Sequence, residues 1–125
     1  MTLAGCGGGM IELELPFPPA VNNITTVARG RKITSKRGRQ YREEAVRLIA
    51  EQFGGEPLDG RLSVEIDLWP PCRRKRDIDN YSKAILDAIT EAGVWVDDEL
   101  VDSLTIVRRP VVKGGRCYVL IEEVS

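Results

Sequence analysis

The nine residues Arg61–Trp69, with the sequence RLSVEIDLW, carry a clear strand pattern. Apolar and polar side chains alternate along this stretch, and Pro70-Pro71 follows it directly. A period of two places one set of side chains on a buried face and the other set on a solvated face. Proline cannot donate a ladder hydrogen bond, so it is expected to end the strand. The predicted buried face consists of Leu62, Val64, Ile66 and Leu68.

Similar patterns on either side predict the other elements. The segment MIELELP alternates in the same way and indicates a first strand, while RGRKIT is typical of a short basic ribbon. Thr34 or Ser35 is the expected N-cap of a first helix, because apolar residues then recur on one face. A second helix is predicted after the basic run at Arg73–Arg76, and Gly93 is expected to end it. Its inward residues are predicted to be Ile78, Tyr81, Ile85, Ile89 and Ala92.

Two later strands are predicted in DSLTIVRR and RCYVLIEE, joined by PVVKGG, whose Gly114-Gly115 suits a hairpin turn. The element order is strand, ribbon, helix, strand, helix, strand, strand. It indicates an α+β fold, a single two-layer domain in which a mixed β-sheet carries two main helices. Residues 1–9 are expected to form a flexible glycine-rich tail, and residues 10–125 the folded domain.

Composition excludes several classes of function. The chain has 125 residues, of which 42% are apolar and 30% charged, as in a soluble globular domain. No apolar run approaches the roughly 18 residues that cross a bilayer, so no membrane partner is expected. Three cysteines without a CxxC pair argue against a disulfide scaffold or a thiolate metal site. Because there is no histidine, any catalysis must use carboxylates, lysine, hydroxyls or a metal.

The charges are segregated along the chain, although the net charge is only −1. Basic residues concentrate between Arg29 and Arg47 and again at Arg73–Arg76, whereas acidic residues dominate from Asp77 to Asp102. A dense positive run directly before a dense negative run suits a site that holds a metal cation while it binds a polyanion.

Two pairs of aspartates are the candidate metal ligands. Asp77 and Asp79 flank Ile78, so in extended backbone they project to one face. Asp97 and Asp98 follow Gly93, where a reversal of the chain would bring one or both back over the helix. Carboxylates without histidine or cysteine describe a site for a hard cation, Mg²⁺ or Mn²⁺. Lys83 is expected beside Asp79 on the helix, four residues later, with Asp87 continuing that face.

Plainer interpretations exist for each of these residues. Asp77 or Asp79 could cap the helix, and Lys83 could form an exposed ion pair worth a fraction of a kcal/mol. The run Arg73–Arg76 could be a solvated loop. A DNA-binding protein without hydrolysis and an ordinary α+β interaction domain therefore remain alternatives, although binding alone gives no reason for the acids.

The block RRKRDIDNYSKAILDAITEAGVWVDDELVD, residues 73–102, resembles the RusA family of Holliday-junction resolvases. The shared features are a basic run, D-x-D-N, a lysine three residues beyond the asparagine, a helix ending in A-G, and D-D. LPFPPAVNN, GRQYREEA and VKGGR extend the likeness to most of the chain, from about Met10 to Glu123.

The resemblance implies an activity and a set of roles. It implies a homodimeric, Mg²⁺-dependent endodeoxyribonuclease, without a small-molecule cofactor, that resolves four-way DNA junctions by paired symmetric nicks in recombination and repair. It also implies a bacterial or phage origin and a cytoplasmic location. Asp77, Asp79 and Asp98 would hold the metal, with Asp97 as an assisting ligand, and Lys83 would be the catalytic lysine. The expected DNA-binding residues are Arg73, Arg74, Lys75, Arg76, Arg31, Lys32, Lys36 and Arg37.

Overall fold

The computed structural model describes residues 10–124, without the side chains of Ala28 and Lys32. The predicted tail, residues 1–9, lies outside the described residues. Within the described range, no helix is both long enough and apolar enough to cross a bilayer. In chain order the strands and helices are β1 (Met10–Leu15), β2 (Thr25–Ala28), β3 (Arg31–Thr34), α1 (Lys36–Gln52), β4 (Leu62–Trp69), α2 (Lys83–Ala92), β5 (Val101–Arg108) and β6 (Arg116–Glu123).

A four-stranded mixed sheet with the order β1-β6-β4-β5 forms one layer of the domain. β6 runs antiparallel to both β1 and β4, and β4 runs parallel to β5. The strand predicted at Arg61–Trp69 is confirmed, and its alternation matches its burial: Leu62, Val64, Ile66 and Leu68 are all buried. They pack with apolar residues of α1 and α2 in one core. The predicted α+β class is therefore confirmed.

The first helix begins where its cap was predicted. Ser35 is the N-cap, and its Oγ accepts a hydrogen bond from Gly38 N at 2.9 Å while donating one to Asn23 O at 2.7 Å. Gly38 is needed for this packing, because a Cβ there would lie 2.6 Å from Ile24 O. The basic ribbon is a two-stranded antiparallel hairpin, β2–β3, whose turn at Arg29-Gly30 has positive φ at both positions.

The prediction of a final hairpin is wrong. β5 and β6 are not neighbours, because β4 lies between them. Gly114 and Gly115 do form a turn with positive φ, and Gly115 N donates to Val112 O at 2.8 Å. The connection instead carries the chain across the end of β4. As a result β5 pairs with one edge of β4 and β6 pairs with the other. A glycine pair specifies a turn but not which strands pair after it.

The second helix also begins later than predicted. Ile78–Tyr81 forms a separate 3₁₀ turn, and α2 starts only at Lys83. Its end is as expected, with Gly93 in the left-handed region at φ 82°. The 3₁₀ turn breaks the α-helical register, so Asp79 and Lys83 are not an i,i+4 pair on one helix.

The second face of the sheet, called the open face below, is acidic and carries no helix formed by residues 10–124. Alternation places on this face Glu12 and Glu14 of β1, Glu65 and Asp67 of β4, and Glu122 of β6. Three of these carboxylates have partners within the face or at its rim. Tyr118 Oη donates to Glu12 at 2.6 Å, Arg116 pairs with Glu14 at 3.3 Å, and Arg109 pairs with Asp67 at 3.2 Å.

Candidate metal and DNA site

The first aspartate pair lies at the 3₁₀ turn that precedes α2. Asp77 is the N-cap of this turn in extended conformation, with φ −96° and ψ 118°, and Asp79 lies in its first turn. Both side chains are exposed, while Tyr81 at the end of the turn is buried. The turn lies against both β5 and α2. The core thus fixes the backbone while the two carboxylates face solvent.

Neither carboxylate has a structural task among the described residues. The Asp77 side chain accepts no capping hydrogen bond. Neither Asp77 nor Asp79 takes part in any ion pair or side-chain hydrogen bond of residues 10–124. The plain interpretation of these acids as helix caps is therefore not observed, since a cap requires that bond.

The second aspartate pair is positioned by the segment that follows Gly93. Trp95 is 1% exposed, and its Nε1 donates to Thr90 Oγ1 at 2.7 Å. Leu58 bridges this segment on its other side: its N donates to Val94 O at 2.8 Å, and its O accepts from Val96 N at 3.0 Å. The chain therefore reverses tightly, and the 3₁₀ turn Asp98–Leu100 lies against α2.

Asp98 has an unfavourable electrostatic environment for a carboxylate. Its partial burial raises its pKa above the ordinary aspartate value. A hydrogen bond with Asp97 and the negative charges of Asp97 and Asp87 raise the pKa further, while Lys83 opposes them. The reversal thus brings Asp98 close enough to Asp97, Asp87 and Lys83 for their charges to influence its pKa. A positive ion at this position would relieve the mutual repulsion of the acids.

Lys83 forms an exposed ion pair, but with a different partner from the one predicted. Its Nζ lies 3.1 Å from Asp87 Oδ2, one turn along α2, and it forms no ion pair with Asp79 within the described residues. The reason is the late start of the helix, which leaves Asp79 on the preceding turn. An exposed i,i+4 pair of this kind is weak, so the ammonium group is free to change partner when an anion binds.

Arg61 is a positioning residue that sequence reasoning missed. Its guanidinium pairs with Glu99 Oε1 at 2.9 Å, donates to Glu99 O at 2.9 Å, and binds the carboxylate of Asp102. These bonds fix the turn that carries Asp98 to the start of β4. They also raise the pKa of Arg61 and lower that of Asp102. No local signal could have revealed this role, because the partners lie 38 and 41 residues away.

The structure does not bring all the predicted ligands into one ready cluster. Within residues 10–124, no three acidic or thiol groups already lie in the arrangement of a metal site. What it provides is two oxygen-donor sets, Asp77 with Asp79 and Asp97 with Asp98, one on each of two turns that contact α2. Asp97 also caps its turn by accepting a hydrogen bond from Glu99 N, whereas Asp77 and Asp79 have no such bond. Carboxylates without softer donors fit the chemistry of Mg²⁺ or Mn²⁺. The donor set therefore fits such an ion.

The basic run beside Asp77 divides into two parts. Arg73, Arg74 and Lys75 are exposed and form no ion pair with any described residue. Arg76 is half-buried and folds the loop: its guanidinium donates to Cys72 O at 2.9 Å and lies 5.4 Å from the Phe17 ring. Arg108 of β5 donates to Arg76 O at 2.8 Å. Three of the four cations are thus free to bind an anion, while the fourth shapes the loop.

A cleft of about 340 Å³ opens beside this loop. Its cationic residues are Arg37, Arg74 and Arg76, so positive charge from α1 and from the basic loop converges there. Its aromatic lining residues are Phe17, Tyr41 and Tyr81, and the ring centroids of Phe17 and Tyr81 are 5.2 Å apart. Cations and aromatic rings that line one groove suit the phosphates and bases of a nucleic-acid strand.

The other predicted cations lie on the ribbon and the start of α1. Arg31, Lys36 and Arg37 are exposed and without an ion pair among the described residues. Lys32 belongs to β3, and its side chain is not described. A second cavity of about 150 Å³ reaches from the base of the ribbon to Lys83 and Asp87. The basic ribbon and the acid-rich side of α2 are therefore adjacent.

Known proteins are similar to this chain over nearly its whole length. Residues 16–122 match the family described as Endodeoxyribonuclease RusA. The chain is 38% identical over 114 residues to the crossover junction endodeoxyribonuclease RusA of Escherichia coli strain K12, covering 91% of this chain and 95% of that protein. The same identity and coverage hold for the protein of that name from Enterobacteria phage 82. The chain belongs to the RusA family of endodeoxyribonucleases.

Proposed function

We propose that this protein is a Mg²⁺-dependent, structure-selective endodeoxyribonuclease that resolves four-way DNA junctions by paired symmetric nicks in recombination and repair. The observation that carries the proposal is the exposed pair Asp77 and Asp79, which has no side-chain partner among the described residues and lies just after the exposed cations Arg73–Lys75. The names of the relatives, crossover junction endodeoxyribonuclease, support the same substrate class.

Asp77, Asp79 and Asp98 are the proposed ligands of the cation, with Asp97 assisting. Bound Mg²⁺, with Mn²⁺ as a substitute, supplies a Lewis acid and charge compensation at the scissile phosphodiester. Supporting this assignment, Asp98 is held among other acids that raise its pKa, which a divalent ion would offset. Because Asp97 directly precedes Asp98, it can contribute an oxygen without a change of fold.

Lys83 is the proposed catalytic lysine. In the free protein its ammonium group pairs with Asp87 at the solvent-facing side of α2. When a phosphodiester binds, the ammonium is proposed to donate a hydrogen bond to a non-bridging oxygen, where negative charge increases as the phosphorus is attacked. Asp87 would position the lysine before the DNA binds, without contacting the DNA itself.

The free cations are proposed to hold the DNA backbone. Arg73, Arg74 and Lys75 would neutralise phosphates next to the acids, and Arg76 would position their loop. On the other side of the cleft, Arg31, Lys32, Lys36 and Arg37 would bind the flanking duplex. Such contacts give salt-dependent affinity with little sequence information, as a structure-selective enzyme requires.

The active species is proposed to be a homodimer in the cytoplasm of a bacterium or of a phage-infected bacterium. A four-way junction has two opposed strands that must both be cut. A two-fold dimer presents one site to each of these strands, which explains paired and symmetric nicks.

The test is cleavage of a synthetic four-way junction by the protein and by two exposed-carboxylate variants. Mg²⁺ should give paired symmetric nicks, and EDTA should abolish them. Asp79→Asn should abolish cutting while junction binding in a gel shift persists. Glu122→Gln is the control, because Glu122 is also exposed but lies on the face of the sheet opposite the helices, and it should cut normally.

Each contrary result identifies an alternative. Tight junction binding without cutting in Mg²⁺ or Mn²⁺ would replace the enzyme with a non-catalytic branched-DNA-binding protein. Equal cutting of linear duplex and junction would remove the structure selectivity.

A further inference from the structure

The cleft beside the basic loop combines an apolar wall with a polar helix face. The wall is the segment Pro16–Ala20, which contains three prolines and Phe17. Arg74, Arg76 and Tyr81 line the cleft from the basic loop and from the 3₁₀ turn after it. The helix face belongs to α1, on which the lining residues recur at positions i, i+3, i+4 and i+7: Arg37, Gln40, Tyr41 and Glu44. An apolar cavity with a few polar groups is the usual form of a site for a small ligand.

Tyr81 directs a hydroxyl without a partner to this cleft. Only 6% of the residue is exposed, and its ring packs against Phe17. Its Oη forms no hydrogen bond within residues 10–124, although no side-chain oxygen or nitrogen there is both fully buried and unpartnered. The accessible part of Tyr81 therefore includes the Oη, which is reached through the cleft that the residue lines. The neighbouring Tyr41 differs, because its Oη donates to Pro16 O at 3.0 Å.

The size and chemistry of the cleft select one class of occupant. Its volume of about 340 Å³ suits one small group and not a double helix. Three arginines and one glutamate line it, which favours a group that carries negative charge. Gln40 and Tyr81 can each donate and accept a hydrogen bond, and Glu44 can accept one, as the edge of a nucleobase requires. A flat apolar ring with polar edges and a phosphate describes a single nucleotide.

The cleft adjoins the proposed metal site along the chain. Arg76 directly precedes Asp77, and Tyr81 follows Asp79 by two residues in the same 3₁₀ turn. A strand that places one phosphate at these acids therefore carries an adjoining nucleotide past the cleft. A base in a regular duplex is paired and stacked, so it must leave the stack before it can enter a pocket. At a branch point stacking is already interrupted, and the cost of leaving it is lower.

We propose that this cleft takes up one unstacked base of the cut strand, next to the scissile phosphate. Gln40, Glu44 and Tyr81 read the edge of the base, and Arg74 and Arg76 hold its phosphate. Because Glu44 accepts but does not donate, the cleft favours a base that offers an N–H group to it. The proposal rests on the proposed function for its substrate. It makes Gln40, Glu44 and Tyr81 determinants of which base stands beside the cut.

A fluorescent base analogue measures the uptake without any cutting. The analogue 2-aminopurine becomes brighter when it leaves the base stack, and it is placed at successive positions around the branch point of a synthetic junction. The protein is added in EDTA. We expect a several-fold rise in fluorescence at one position next to the cut and little change at the others.

Tyr81→Phe removes only the hydroxyl and keeps the ring that packs against Phe17. It should reduce the rise at that position. In Mg²⁺ it should also weaken the dependence of the cutting rate on the base there by about three- to tenfold, the net effect of one hydrogen bond. Tyr118→Phe is the matched control, because it removes a hydroxyl that binds Glu12 at 2.6 Å on the open face. It should leave both quantities unchanged.

Gln40→Ala provides a second variant at an exposed helical position that alanine suits. It should act in the same direction as Tyr81→Phe, and both variants should keep the Tm within about 2 °C of the parent value. An equal rise in the parent and in both variants, with unchanged base dependence, would overturn the assignment of the cleft.

The remaining outcomes separate this proposal from the nuclease. A parent that nicks junctions in pairs but shows no rise at any position would refute uptake of a base and leave the nuclease proposal standing. A rise that depends on Tyr81, without cutting in Mg²⁺, would support the base pocket and refute the nuclease. A parent that binds no junction would overturn both.

Discussion

The open face of the sheet and the turns beside α2 are both rich in carboxylates, yet they differ in how those carboxylates are used. On the sheet, Glu12, Glu14 and Asp67 each bind a tyrosine or an arginine. At the turns, Asp77 and Asp79 bind no described residue, and the exposed cations next to them are also free. Acid density alone therefore does not mark a site. What distinguishes the pair Asp77 and Asp79 is the absence of partners among the described residues, which the nearby cations Arg73–Lys75 share.

The largest expected effect compares one carboxylate from each region. Asp79→Asn should reduce junction cleavage by about 10³-fold or more, because loss of a metal ligand removes several kcal/mol of transition-state stabilisation. Glu14→Gln on the sheet face should change cleavage by less than about twofold, since it removes only an exposed ion pair. Single-turnover cleavage rates measure both. A large loss with Glu14→Gln would mean that the sheet face belongs to the site.

The next effect compares one arginine from each region. Arg74→Ala should weaken junction binding by about fivefold near 0.15 M salt and lower the salt slope by about one, as expected for one lost phosphate contact. Arg116→Ala should leave both unchanged, because Arg116 is paired with Glu14 and stacked 4.8 Å from the Trp69 ring. Gel-shift titrations from 50 to 300 mM salt measure both quantities. An unchanged salt dependence of binding for Arg74→Ala would mean that the DNA does not contact Arg74.

A third comparison concerns two arginines that bind carboxylates: Arg61, which holds the turn that carries Asp98, and Arg47, which forms an ion pair within α1. Arg61→Ala should lower the Tm by roughly 4 °C and reduce cleavage, because it releases the turn that carries Asp98. Arg61→Lys should recover little of this loss, since lysine cannot replace the forked contact with Glu99 and Asp102. Arg47→Ala removes an exposed pair with Glu51 at 3.0 Å and serves as the control, with a Tm change within about 2 °C. A cleavage rate that follows Tm equally in both variants would make Arg61 merely structural.

The smallest effect is a pH-dependent change in stability at Asp98. Its pKa is raised in the folded protein, so the stability that it contributes is present below the unfolded pKa and is lost as the pH rises through the folded value. Asp98→Asn should therefore raise the Tm in EDTA at pH 7 by a small amount, under about 4 °C because the carboxyl is largely exposed. The difference should disappear near pH 3.5. A lower Tm for the variant at pH 7 would contradict the predicted repulsion among the acids.

Local physics determined much of this protein from the sequence alone. Alternation with a period of two located β1 and β4, because each strand has one face in the core. A hydroxyl cap located the start of α1, and a glycine with positive φ located the end of α2, because both signals act within a few residues. The two aspartate pairs and the basic run were also visible in the sequence, since their spacing and sign need no partner to be recognised.

Only the tertiary structure decided the remaining features, because they depend on residues far apart in the chain. The position of β6 between β1 and β4, instead of beside β5, lets both edges of β6 form ladder hydrogen bonds, and a glycine turn cannot encode this order. The separate turn before Lys83 follows from Tyr81 packing into the core. Arg61 is bound by partners 38 and 41 residues away. Arg76 lies over the ring of Phe17, and its carbonyl accepts a hydrogen bond from Arg108. A side chain's type fixes which bonds it can form, and the fold decides which of them it does form.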